Sequence, residues 1–275
     1  MKFYQSTRGG ARATAWEAIL EGIAPDGGLY TPEVFPPLNI EEMLELNAMG
    51  ISTRVLTALL DGFSEEEMAR IVREGYAGKF ETDELTPLIK VGDAYVLELF
   101  RGPTSAFKDV ALSLLPRLMT ASRDKAGARE EIAVLTATSG DTGKAALEGF
   151  CDVPGTRIVV FYPEDGVSDV QKAQMQTQRG GNVRVCAVRG NFDDAQTGVK
   201  AIFADDREHR WAAQAHTRLS SANSINLGRL APQVAYYFKS YMDLVRRGEI
   251  AMGEEVNFVV PTGNFGDILA GDFAR

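Results

Sequence analysis

The chain has 275 residues, a formal net charge of −9, 45% hydrophobic residues and 24% charged residues. These values are typical of a globular protein and disfavour disorder, and the length allows one large domain or two modest ones. The acidic balance argues against nucleic acid as a partner. No apolar run is long enough to span a bilayer and the first residues lack an apolar signal core, so we expect a soluble cytoplasmic protein without membrane contact.

The residue types that often carry disulfides and metals are scarce. Cys151 and Cys186 have apolar sequence neighbours, which favours two buried small side chains over a disulfide. The two histidines lack the spacing of metal ligands, so we expect no metal site. The candidate chemistry therefore depends on other residues.

The first third of the chain, residues 1–93, is predicted to be mostly helical with irregular loops. Asn39 with Glu42, and Ser64 with Glu67, have the spacing of helix N-terminal capping boxes. The helices predicted in this region cover residues 15–20, 39–47 and 64–74.

From about residue 94 the pattern changes to apolar, β-branched runs that alternate with helical segments. Such runs are typical of parallel strands covered on both faces, so residues 94–227 are predicted to form a small α/β domain with a doubly wound parallel sheet. Residues 228–275 are predicted to begin a larger domain. Because the chain stops inside a helical pattern, we expect it to be truncated or cleaved. The predicted strands are 132–137, 157–162, 182–188 and 255–260, and the predicted helices are 144–150, 168–179, 192–206, 228–247 and 266–275.

Lys108 is the first candidate for chemistry, and it lies in residues 102–109, with the sequence GPTSAFKD. A strand-like stretch, 94–100, precedes this segment and an apolar helical run, 110–115, follows it. The start of a helix and burial beside Phe107 both disfavour the charged form of a lysine. A neutral lysine amine can attack a carbonyl and form a Schiff base. A solvated lysine in a first helical turn has the same spacing, so the segment alone leaves both interpretations open.

Three further segments are rich in glycine, hydroxyl or amide residues and precede predicted helices. They are residues 136–144 (TATSGDTGK), 220–229 (SSANSINLGR) and 261–267 (PTGNFGD). Glycine lets a ligand approach the backbone, and the N–H groups of a helix start bind anions. Each segment alone also fits an ordinary loop before a helix. Together with the amine, they are what a phosphorylated aldehyde needs, so the sequence predicts pyridoxal 5'-phosphate as cofactor.

The same segments resemble threonine synthase of the longer type that is common in bacteria and fungi. The resemblance follows the chain in order and includes residues 4–9 (YQSTRG), 24–30 (APDGGLY) and 223–226 (NSIN). It implies the α/β fold of the fold-type II pyridoxal phosphate enzymes, the group of the tryptophan synthase β-subunit. It also implies a lyase of threonine biosynthesis, which converts O-phospho-L-homoserine and water into L-threonine and phosphate.

The resemblance also implies roles for individual residues. Lys108 would carry the cofactor as a Schiff base and move protons during the reaction, with Phe107 beside it. Asp141 would face the ring hydroxyl of the cofactor. The cofactor phosphate is assigned to Gly263, Asn264, Phe265, Gly266 and Asp267, and the substrate phosphate to Ser139, Thr142, Asn226 and Arg229.

Members of the resembled family continue well beyond the residue that matches Arg275. We therefore expect little or no activity from the 275-residue chain without a missing C-terminal portion of the same protein. Three alternatives stay open: a phospho-lyase that yields 2-oxobutyrate, a serine or threonine dehydratase of the same fold, and a non-catalytic homologue. The sequence does not separate the first from threonine synthase, because addition of water depends on details of the pocket.

Overall fold

The computed structural model of the chain describes residues 3–263 and 265–275. Among these residues, none of the helices combines the length and the apolar character that a membrane span requires. The strands are β1 (Tyr4–Ser6), β2 (Arg12–Ala13), β3 (Tyr30–Pro32), β4 (Leu88–Val91), β5 (Ala94–Leu97), β6 (Glu131–Ala137), β7 (Thr156–Pro163), β8 (Val183–Val188) and β9 (Thr217–Ser220). The helices are α1 (Ala15–Glu21), α2 (Ala48–Leu59), α3 (Glu65–Tyr76), α4 (Asp109–Lys125), α5 (Asp141–Phe150), α6 (Asp169–Gln176), α7 (Phe192–Ala204), α8 (Asp206–Gln214), α9 (Leu227–Arg246) and α10 (Gly266–Ala274), with a 3₁₀ turn at Glu41–Met43.

The main sheet has four parallel strands in the order β8-β7-β6-β9. The chain moves outward from β6 through β7 to β8 and then returns to the other side of β6 as β9. The connections therefore change direction between β6 and β9. In open α/β sheets, such a switch point leaves a crevice at the carboxyl ends of the strands, and ligands bind there.

Side chains alternate between the two faces of this sheet, as the two-residue period of a strand requires. Ile132, Val134 and Ile158 face the main core, which also contains residues of α1 to α5 and of α9. Leu135 and Ala137 face the opposite side, where α7 forms a smaller core with them. The sheet is thus covered on both faces, as the continuous apolar runs predict.

The N-terminal region confirms some of the predicted helices and corrects another. Ser64 caps α3, and Ser64 and Glu67 form the predicted capping box. The helix predicted over 39–47 is wrong, because only the 3₁₀ turn forms there. The real cap is Asn47, whose side chain accepts a hydrogen bond from Gly50 N at 2.9 Å. It starts α2, which the sequence analysis missed and whose apolar side is fully buried.

Three further predictions are corrected by the structure, and one strand is added. The segment 94–100 supplies β5 of an antiparallel hairpin with β4 and takes no part in the parallel sheet. The helix predicted over 192–206 is divided, because Asp205 is extended and caps α8. β9 was not predicted. The strand predicted over 255–260 is wrong, because no strand of the described chain pairs with it and its Val259 is 95% exposed.

The two cysteines also differ from the prediction. Cys186 is exposed and Cys151 is half-buried, and both are free thiols. The reason for Cys186 is its place on β8, which is an edge strand with most of its side chains outside the core. An apolar sequence neighbourhood is therefore not sufficient to predict burial at the edge of a sheet.

Candidate active site

A cleft of about 290 Å³ lies at the switch point of the parallel sheet, close to the lower end of the size range of small-molecule sites (~300 Å³). One wall is formed by Phe107 and Lys108 at the start of α4 and by the loop after β6. Residues 221–225, after β9, and the start of α10 form another wall, and α7 contributes the outer side. Segments that are far apart in sequence therefore meet where the strand order predicts a binding crevice.

Lys108 stands at the N-terminal boundary of α4, and its side chain is 13% exposed. Its Nζ donates a hydrogen bond to Asp141 Oδ1 at 2.5 Å and lies 5.0 Å from the centre of the Phe107 ring. Two of the predicted site residues, Lys108 and Asp141, are thus brought together. The amine is paired with a carboxylate and is neither a solvated surface lysine nor surrounded by apolar groups alone.

The loop that carries Lys108 is fixed by the neighbouring Asp109, which is 1% exposed. The Asp109 carboxylate accepts hydrogen bonds from Thr104 N at 2.8 Å, Thr104 Oγ1 at 2.5 Å and Ala106 N at 3.4 Å. Burial raises the pKa of Asp109, although these hydrogen bonds oppose the shift. Ser105 adopts a left-handed backbone conformation with φ of 57°. This strained turn is held by Asp109 and orients the lysine towards the cleft.

The loop after β6 is organised by Thr138, whose hydroxyl accepts from Gly140 N at 3.1 Å and from Gly143 N at 2.9 Å. Thr138 is buried, whereas Ser139 is exposed to the cleft. Asp141 and Thr142 lie in the first turn of α5 and also line the cleft. The structure therefore brings Ser139, Asp141 and Thr142 to the same cleft, and Thr138 is the residue that holds their loop.

Asn226, predicted to bind the substrate phosphate, does not line the cleft. Its side chain is fully buried and donates to Ile19 O at 3.0 Å and Ser221 O at 3.1 Å, while its Oδ1 accepts from Gly228 N at 2.8 Å. It therefore caps α9. The cleft is lined instead by its neighbours Asn223 and Ser224, which the prediction left out. A sequence motif shows that an amide is present but not which way it faces.

Arg229 lines the cleft although its side chain is only 2% exposed. Its Nη1 donates to Gln233 Oε1 at 2.6 Å, and its Nε has no partner among the described residues. Burial lowers the pKa of Arg229 to about 10, although acidic and phenolic groups nearby oppose the shift. A buried guanidinium with an unpaired N–H is a natural partner for an anion in the cleft.

The predicted phosphate loop is only partly placed at the cleft. Gly266 and Asp267, at the start of α10, line it. Gly263 does not line it, and Phe265 is 75% exposed and turned elsewhere. Asn264 lies outside the described residues. The start of α10 lies against residues 221–225, since a Cβ at Gly266 would lie 3.0 Å from Ser224 Cβ.

This arrangement combines a lysine amine, a carboxylate, a buried guanidinium and the N-terminus of a helix in one cleft. An amine can bind an aldehyde, whereas the guanidinium and the helix start favour anions. Within the described part of the chain, no cluster of three His, Cys, Asp or Glu residues is arranged to hold a metal ion. The fold and the cleft define an α/β protein whose cleft contains the groups suited to an anionic ligand with a carbonyl group.

Comparisons with known proteins agree with this description. The family model of the threonine synthase N terminus matches residues 3–76. A Pseudomonas aeruginosa protein named threonine synthase is 43% identical over 99% of this chain and 56% of its own length. The crystal structure of PLP-bound threonine synthase from Brucella melitensis matches with a TM-score of 0.87 and 40% identity, covering 100% of this chain and 57% of that one. Yeast threonine synthase matches with a TM-score of 0.84 and 34% identity, covering 99% of this chain and 55% of that one.

Over the residues it contains, the chain is similar in sequence and in structure to proteins named threonine synthase. The predicted resemblance to threonine synthase and the predicted α/β fold class, that of the solved threonine synthases, are thereby confirmed. The chain spans about half the length of the curated relatives it matches.

Proposed function

We propose that the protein is a pyridoxal phosphate-dependent threonine synthase, which converts O-phospho-L-homoserine and water into L-threonine and phosphate. The observation that carries this proposal is the meeting of Lys108, Asp141 and Arg229 with the start of α10 in one cleft. It is supported by the relatives, one of which is described as PLP-bound threonine synthase.

The residues of the cleft fit the cofactor. Lys108 supplies an amine for its aldehyde, and Asp141 is close enough to face a ring substituent beside that amine. The N–H groups at the start of α10 fit the phosphate, with Gly266 and Asp267 in position. When bound, pyridoxal phosphate supplies an electron sink that stabilises negative charge at the α-carbon of an amino acid.

Lys108 has two roles in this proposal, as covalent holder of the cofactor and as proton carrier for the substrate carbons. Its amine would carry a proton to and from the substrate carbons, and the Asp141 carboxylate, 2.5 Å from Nζ, is placed to orient it. Phe107 covers one side of the amine. The role of Lys108 thus follows from a paired, largely buried amine at the open end of the sheet.

The substrate phosphate is assigned to Arg229 together with the hydroxyl groups of Ser139 and Thr142. Arg229 has an unpaired, buried Nε, and the two hydroxyl residues line the same cleft. Because the Asn226 amide is engaged in capping α9, we assign its predicted role to Asn223 and Ser224, which do line the cleft.

The larger setting of the site also remains a proposal. We propose regions at residues 1–93, 94–227 and 228–275, completed by a further portion of the polypeptide. The length of the relatives supports that further portion. The cytoplasmic location stays a prediction, as does the low activity of the 275-residue chain alone.

The test is product analysis with the full-length protein, pyridoxal phosphate and O-phospho-L-homoserine. Threonine and phosphate should form in equal amounts, and Lys108→Ala should abolish both products. Lys144→Ala is the matched control, because Lys144 lies on the same side of the sheet but pairs with Glu148 and does not line the cleft. Formation of 2-oxobutyrate without threonine would support the phospho-lyase, and no turnover by the wild-type protein would support a non-catalytic homologue.

A further inference from the structure

One face of α9 carries four polar side chains beside the cleft. Arg229 is followed four, seven and eight residues later by Gln233, Tyr236 and Tyr237. This spacing places all four on the same side of a helix. All four are at most 5% exposed. Buried polar groups are usually hydrogen-bonded, and Gln233, Tyr236 and Tyr237 find partners at the start of α10.

Gln233 connects the arginine of the cleft to α10. Its Oε1 accepts from Arg229 Nη1 at 2.6 Å, and its Nε2 donates to Gly266 O at 3.2 Å. The amide oxygen of Gln233 therefore accepts a hydrogen bond and its nitrogen donates one, which fixes the orientation of the side chain. Gln233 lines the cleft, and its carbonyl oxygen and one of its two amide N–H groups are engaged within the protein.

The two tyrosines hold the carboxylate of Asp267, in the first turn of α10. The Tyr236 hydroxyl donates to Asp267 Oδ1. The Tyr237 hydroxyl donates to the same oxygen at 2.9 Å and to Asp267 O at 3.0 Å. Burial and the nearby carboxylate raise the pKa values of both phenols, so both remain donors at neutral pH.

The hydrogen bonds from Tyr236 and Tyr237 to Asp267 reduce an unfavourable electrostatic interaction at the start of α10. An N-terminal helical turn favours a bound anion, but a free carboxylate in that turn would repel a phosphate group. Two phenols that donate to the Asp267 carboxylate disperse its charge and fix its direction. They also hold the turn against α9, together with the contact from Gln233 to Gly266.

We propose that Gln233, Tyr236 and Tyr237 are positioning residues that fix the start of α10 for the phosphate group of the cofactor. This inference rests on the proposed function, because it assumes that pyridoxal phosphate is the ligand. It assigns these residues to phosphate recognition specifically. The attachment of the cofactor aldehyde to Lys108, on the other side of the cleft, does not depend on them.

The experiment compares two ligands on the full-length protein, pyridoxal phosphate and pyridoxal, which lacks the phosphate. Covalent attachment of each ligand to Lys108 is followed by visible absorbance. In Tyr236→Phe/Tyr237→Phe the dissociation constant of pyridoxal phosphate should rise about tenfold, the effect of one net hydrogen bond. That of pyridoxal should stay within about twofold of the wild-type value. Gln233→Met should likewise raise the dissociation constant of pyridoxal phosphate and leave that of pyridoxal nearly unchanged.

Two controls separate phosphate recognition from general loss of structure. Tyr76→Phe removes another buried phenol, which donates to Val110 O at 2.9 Å and does not line the cleft, and should leave both constants unchanged. Adding Asp267→Asn to the tyrosine double variant removes the repelling charge and should restore part of the affinity for pyridoxal phosphate. The Gln233→Met and Tyr237→Phe single variants provide the same comparison if the double variant does not fold.

The outcomes are distinguishable. Equal weakening of both ligands, or an unchanged preference for pyridoxal phosphate, would overturn the positioning role. Failure of the wild-type protein to attach either ligand would instead overturn the proposed function on which the inference rests.

Discussion

Single buried polar residues determine the shape of the cleft. Asp109 holds the loop of Lys108, Thr138 holds the loop of Asp141, and Asn226 caps α9. All three belong to segments that the sequence analysis singled out. Their individual roles could not be predicted, because a motif shows which side chains are present and only the packed backbone decides which of them face inward.

The contribution of Asp109 can be measured as stability. Asp109→Ala leaves Thr104 N and Ala106 N without their buried acceptor, so the free energy of unfolding should fall by about 2–3 kcal/mol. Urea denaturation of the full-length protein measures this change. Asp124→Ala is the control in the same helix, since its side chain is 68% exposed and its loss should cost less than about 0.5 kcal/mol. Equal effects of the two substitutions would contradict the role of Asp109.

The buried phenol of Tyr4 should make the free energy of unfolding depend on pH. Burial raises the pKa of Tyr4 from 10.0 to about 12, and its hydroxyl donates to Leu59 O and accepts from Asp61 N. Because the pKa in the folded state exceeds that in the unfolded state, the stabilising contribution is complete below pH 10 and is lost as the pH rises through about 12. The stability difference between the wild-type protein and Tyr4→Phe should therefore shrink by about 1.4 kcal/mol between pH 9 and 11. A constant difference in denaturation curves over this range would refute the assignment.

At the level of elements, sequence patterns that depend on neighbouring residues predict helices and strands better than patterns that require a distant partner. The capping box of α3 is contained within four residues and was predicted correctly. The strand predicted over 255–260 is equally apolar, but a strand requires a paired neighbour, which the described chain does not provide. Asn39 and Asn47 both have side chains that can cap a helix. The helix begins after Asn47, because the segment that follows Asn47 buries an apolar face.

The two asparagines provide a matched pair of substitutions. Asn47→Ala removes the cap of a 12-residue helix and should lower the free energy of unfolding by about 1 kcal/mol. Asn39→Ala affects only a three-residue turn and should cost less than about 0.5 kcal/mol. Thermal or urea denaturation compares them. A larger effect at Asn39 would mean that a helix does begin there.

Substitution of two helical glycines by alanine should change the stability of the protein in opposite directions, because Gly149 lies in the contact between α4 and α5 and Gly198 does not. A Cβ at Gly149 would lie 2.1 Å from the backbone oxygen of Leu112, so Gly149→Ala should destabilise the protein by about 1–3 kcal/mol. Gly198, in α7, has open space around the same position. Gly198→Ala should stabilise the protein by up to about 1 kcal/mol through helix propensity. Denaturation midpoints that move in the same direction would contradict this packing.

At the level of the whole molecule, the position of the site follows from the strand order. The change of direction between β6 and β9 opens the cleft, and the loops after these strands, together with the first turns of the helices that follow them, carry most of its polar residues. The sequence predicts the α/β class and two of these loops. It does not predict β9 or its place beside β6, because strand order depends on contacts between residues about 85 apart along the chain, such as Ile132 with Arg218. The resemblance to a known family supplied what periodicity could not.

In the proposed function, Lys108 is the residue that binds the cofactor aldehyde. The most direct test is reduction of the full-length protein with borohydride in the presence of pyridoxal phosphate, followed by digestion and mass spectrometry of the peptides. We expect a phosphopyridoxyl group on Lys108 and its loss in Lys108→Ala. Modification of Lys200, which also lines the cleft, in place of Lys108, or undiminished labelling of the Lys108→Ala protein, would contradict this assignment.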